Sequence, residues 1–140
     1  MRLSDLKKSV AQLVAAGGGA ITKHFIGGSG EPTFGSSWTG TSATDAEPGF
    51  YKDGRQVHLF GRVQKSILIA SPEVPFTLPV GFRPDGPRWF SALVWDVTTS
   101  AVIPDGQIMV QENGEVMIMG TIDGADDLQV SLDGINFLAA

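Results

Sequence analysis

The sequence predicts an all-β protein: a compact antiparallel β-sandwich knob, jelly-roll-like, preceded by a short N-terminal amphipathic helix and a Gly/Ser-rich linker. Three observations predict it. The chain has 140 residues with 42% hydrophobic and 18% charged side chains, enough for one buried core. Its 18 glycines and 8 prolines punctuate it too often for a helical bundle. Short apolar runs with period-two alternation then recur from residue 50 onward.

The opening segment reads as a helix. Leu3, Leu6, Val10, Leu13 and Val14 recur at spacings of three and four and share one face, with Ser4 as N-cap and Gly17–Gly19 as the stop. A helix this short is marginal alone in water, so its stripe must pack on something. These five residues are the candidate anchor, and residues 1–26 form the anchor segment; within it, residues 20–26 read as a short strand. Residues 27–49 are rich in Gly, Ser and Thr and read as a linker or a pinned loop, with Phe34 and Trp38 as the pins.

Residues 50–140 form the body. Phe50 and Tyr51 lead into an Asp53-Gly54 turn, and QVHLFGRVQ alternates as one strand with Val57, Leu59 and Val63 inward. Phe76–Leu78 is a short strand closed by Pro79, and a turn-dense stretch follows. Residues 89–97 (WFSALVWDV) read as one long core strand, in which Trp89 and Trp95 share a face. Asn113-Gly114 between Ile108–Gln111 and Val116–Met119 predicts a hairpin with a type I′ turn. Leu128, Val130 and Leu132 alternate before a turn at Asp133-Gly134 and a last strand to Leu138.

Charge and composition narrow the function. Arg2, Lys7, Lys8 and Lys23 against Asp5 make residues 1–26 net +3, whereas six basic and fourteen acidic residues make the rest net −8. An acidic body is a poor match for nucleic acid, and no apolar run is long enough to span a membrane. Asp5 and Gln12 interrupt what would otherwise imitate a signal peptide. There is no cysteine. His24 and His58 stand 34 residues apart without an HExxH pair, and the acids Asp123, Asp126 and Asp127 lack the order of a calcium loop. No phosphate loop or nucleophile elbow is present. The acids Asp53, Asp85, Asp105 and Asp133 sit at turns, where carboxylates bond to local backbone. The reading is therefore non-enzymatic, with no catalytic residue, metal or cofactor. Trp38 is the candidate glycan contact, set against its role as a pin; for Trp89 and Trp95, core or subunit contact is expected.

Four segments in order, FYKDGRQVHLFGRV (50–63), FTLPVGFRP (76–84), GQIMVQENGEVMI (106–118) and VSLDGINF (130–137), resemble the C-terminal head domains of bacteriophage tail and collar fibres. In that resemblance Tyr51 and Val57–Val63 match the opening hairpin, Leu78-Pro79 and Phe82-Arg83-Pro84 the central turn, Asn113-Gly114 the hairpin tip and Asp133-Gly134 the closing turn. It implies a virion surface location, a homotrimer, attachment of the N-terminal segment to another virion protein, and contact with host saccharides for many members. Only about 49 residues precede the head-like part, where fibre proteins carry a long shaft. The expectation is therefore a capsid decoration or short head fibre, with a tail-associated receptor-binding protein recognising host glycans as the alternative. A secreted lectin-like domain is a third reading, which needs a functional signal peptide.

Overall fold

The computed structural model describes residues 21–41 and 46–140. The predicted helix, with Leu3, Leu6, Val10, Leu13 and Val14, lies outside the described residues, as do residues 42–45 of the predicted linker.

The described chain is all-β and antiparallel throughout, without an α-helix. Thirteen short strands form three sheets around one core. The first sheet has the order β1 (His24–Phe25), β3 (Gly49–Asp53), β4 (Gln56–Phe60), β13 (Asn136–Leu138). The second runs β6 (Glu73–Thr77), β11 (Glu115–Met119), β10 (Gln107–Val110), β7 (Arg88–Ser91). The third has five strands, β2 (Trp38–Gly40), β5 (Arg62–Lys65), β12 (Leu128–Ser131), β8 (Val94–Asp96), β9 (Ala101–Val102). Both β1 and β2 come from before residue 50, so the sheets recruit part of the chain that composition marks as anchor and linker.

Two extended segments form the frame. The stretch read as one strand, QVHLFGRVQ, is divided at Gly61 into β4 and β5, which belong to different sheets. Its partner is divided in the same way: β12 pairs with β5, and β13 pairs with β4. The two bends are tied together. Gly61 N donates to Asp133 Oδ1 at 2.8 Å, Leu132 N to Gly61 O at 2.8 Å, and Leu59 N to Ile135 O at 2.9 Å. Gly61 has φ +84, and a Cβ there would run into the carbonyl of Glu47, so only glycine turns this corner without strain. Val57, Leu59, Val63, Leu128, Val130, Leu132, Ile135 and Phe137 all point inward from this frame and are buried.

The hairpin tip differs from the predicted type I′ turn. Gly114 N donates to Gln111 O, Gln111 N to Glu115 O, and Gly114 alone of the loop has positive φ, at +90. This is a three-residue loop, a type I turn followed by a left-handed glycine, because type I′ needs two positive-φ residues and Asn113 is not one. Asn113 instead braces the loop through its side chain, accepting from Glu115 N at 3.0 Å.

The predicted long strand over residues 89–97 is also two strands. Ala92 and Leu93 interrupt it, with β7 in the second sheet and β8 in the third. The alternation count is lost across that break, so Trp89 and Trp95 lie on different sheets.

Candidate functional site

The three tryptophans have three environments. Trp38 is 3% exposed, and its Nε1 donates to Glu73 Oε1 at 3.0 Å. It pins its segment to the core, as its place in a Gly/Ser stretch suggests, but its ring is not available to a ligand, which corrects its candidacy as a glycan contact. Trp89 is 58% exposed on β7 and stands in register with Met109, which in turn faces Met117. Trp95 lies on β8, partly exposed, on the outer face of the five-stranded sheet.

That face is built by register. Thr39 pairs with Gln64, Gln64 with Gln129, Gln129 with Trp95 and Trp95 with Val102. The five side chains form one row across five strands, about 19 Å long at about 4.8 Å per strand. Their neighbours Lys65, Val63, Leu128, Val130 and Val94 alternate inward and are buried, which holds the row outward. One step along the strands, Arg62 pairs with Ser131. Arg62, Leu93, Trp95, Val102, Gln129 and Ser131 line an open groove of about 370 Å³.

The polar groups of this face are graded. At one end Asp127 Oδ1 accepts from Gln64 Nε2 at 3.1 Å and from Ser66 Oγ at 3.2 Å. At the other, Arg62 Nη1 makes one long contact of 3.5 Å to Gln129 Oε1. No described carboxylate lies within ion-pair distance of Arg62, and no described residue accepts from the Trp95 indole nitrogen. An aromatic ring, an amide, a hydroxyl and a guanidinium are therefore presented together on rigid strands. Such a surface can bind by apolar contact and directed hydrogen bonds. The sequence hid it because its members are scattered over residues 39 to 131; only the separate signal of Trp95 on an alternating strand was visible.

Two carboxylates elsewhere, Glu73 and Asp105, are held in structural bonds. Glu73 holds Lys65 Nζ at 2.9 and 3.0 Å, the Trp38 indole and Ala70 N at 2.8 Å. Burial pushes its carboxyl up, but the bonds from Ala70, Lys65 and Trp38 and the Lys65 charge together hold it below the ordinary range. Asp105 accepts Thr121 Oγ1 at 2.6 Å and Thr121 N at 3.0 Å, and these bonds lower its carboxyl as well. A general acid needs the opposite shift. His24 Nδ1 lies 3.0 Å from Glu31, and His58 stacks on Tyr51 with ring centroids 4.7 Å apart. Among the described residues no three His, Asp or Glu side chains converge as a metal site would require.

No family model matches the chain, and no curated protein matches it. Among solved structures the fold is similar to the crystal structure of the receptor binding protein (gp15) of Listeria phage PSA. The TM-score is 0.66 at 18% identity, over 98% of this chain and 76% of that one. The class this defines is an antiparallel all-β fold shared with a phage protein.

Proposed function

We propose that this chain is a non-enzymatic bacteriophage virion protein, displayed on the particle surface, that binds the host receptor. The observation that carries the reading is the fold likeness to a phage receptor binding protein over nearly the whole chain. It agrees with the head-domain resemblance of the four sequence segments and with the structural bonds that hold Glu73 and Asp105. It also shifts the weight away from capsid decoration toward the tail-associated alternative. In this reading residues 1–26 attach the protein to another virion component through Leu3, Leu6, Val10, Leu13 and Val14. Self-association, as a trimer, covers the exposed Trp89 and the half-buried Met109 and Met117 beside it.

Immunogold labelling of particles combined with cell binding by fluorescent full-length protein tests this. Label at the tail and saturable binding to host cells is the expected result. Label over the head shell together with no binding to host cells would return the protein to the decoration class.

A further inference from the structure

The two tryptophan faces differ in chemistry. The row through Trp89 continues into the half-buried Met109 and Met117, with Ser91 and Gln107 one step along the strands. The row through Trp95 places a ring beside an amide, Gln129, with the Ser131 hydroxyl and the Arg62 guanidinium one step along the strands. Such a mixture suits a ligand whose faces are C–H and whose edges are hydroxyl.

Arg62 adds a charge preference. Arg55 donates to Ala139 O, Arg83 to Leu78 O, and Arg88 pairs with Asp85. Among the described residues Arg62 has only its long contact to Gln129, on a chain of net charge −5. A guanidinium beside a groove, without a described carboxylate partner, is matched by a bidentate oxyanion. Leu93 and Val102, 57% and 50% exposed, flank Trp95 and extend its apolar contact. β8 lies between β12 and β9, so Trp95 is already positioned and little ordering is needed on binding.

We propose that the outer face of the five-stranded sheet binds an anionic saccharide, with a sugar ring laid on Trp95, its hydroxyls on Gln129 and Ser131, and its phosphate or carboxylate on Arg62. This rests on the receptor-binding reading and names its site and ligand class.

The test uses the full chain with three probes, a phosphodiester-linked glycan, a polyuronate and a neutral glucan, alongside intact host bacteria. Binding is expected to one or both anionic glycans, and which of the two identifies the anion. Trp95→Ala and Arg62→Glu each lower that affinity at least tenfold without moving the melting temperature, Arg62→Lys retains part of it, and Trp89→Ala leaves it unchanged. Added salt weakens binding of the wild type more than of Arg62→Gln. Equal binding of the neutral glucan, with no effect of Arg62→Glu, overturns the anionic class. Undiminished binding to bacteria by both Trp95→Ala and Arg62→Glu overturns the site and leaves the receptor-binding reading standing. Loss of oligomer mass in Trp95→Ala, seen by light scattering, makes the face a contact between copies and overturns the proposal. Absence of binding to bacteria and to all three probes removes the receptor-binding reading itself.

Discussion

Lys65 and Glu73 form a nearly enclosed ion pair, Nζ standing 2.9 Å from Oε1 and 3.0 Å from Oε2, with each side chain 11% exposed. The same carboxylate receives the Trp38 indole and the backbone of Ala70. It thus joins β2, β5 and β6 across two sheets.

Removing the carboxylate strands three donors at once. Glu73→Ala is expected to cost about 2–3 kcal/mol, less than for a fully enclosed pair because some of each side chain reaches water. Urea denaturation of the two proteins at neutral pH measures this; a cost under about 0.5 kcal/mol would mean the pair is screened.

The pair also sets an acid limit. The Glu73 carboxyl titrates below the ordinary 4.5 in the folded protein. A group depressed in this way contributes stability above its unfolded value and loses it as pH falls through its folded value. The wild-type melting temperature should therefore fall more steeply than that of Glu73→Gln on acidification below about pH 4.5. Parallel curves for the two proteins would contradict it.

Gly61 and Gly134 separate two costs that usually travel together. Both have φ +84, but a Cβ at Gly134 meets open space whereas at Gly61 it meets the Glu47 and Pro48 backbone. Gly134→Ala should cost about 1–2 kcal/mol for the left-handed backbone alone. Gly61→Ala should cost at least about 3 kcal/mol, since crowding adds to it. Equal losses in chemical denaturation would show that the corner relaxes.

Trp38→Phe tests whether that residue is a pin. The ring volume is largely kept and the bond to Glu73 is lost, so stability should fall by about 1 kcal/mol while binding to host cells is unchanged. A drop in binding at unchanged stability would restore its ligand role.

The Asp105 carboxyl should titrate below the ordinary 3.8 in a carbon-detected NMR experiment, because Thr121 donates twice to it. Thr121→Val removes the hydroxyl donor and should raise the midpoint toward that value. An unmoved midpoint would leave the backbone bond as the dominant cause.

What the sequence by itself determined is which side chains point inward and where the chain turns. Val57, Leu59 and Val63, then Leu128, Val130 and Leu132, announce their burial by alternation alone, and Asp53-Gly54, Asn113-Gly114 and Asp133-Gly134 mark turns by composition. Those signals are local, since the pleat assigns alternate residues to opposite faces whatever the neighbouring strand is. The tertiary structure alone decided the partners. It broke one alternating run at Gly61 so that its halves serve two sheets, and separated Trp89 from Trp95 at Ala92. It also buried Trp38 on a carboxylate 35 residues away. The row Thr39, Gln64, Gln129, Trp95, Val102 exists only because long-range pairing sets five strands in one register, and period two carries no information about which strand comes next.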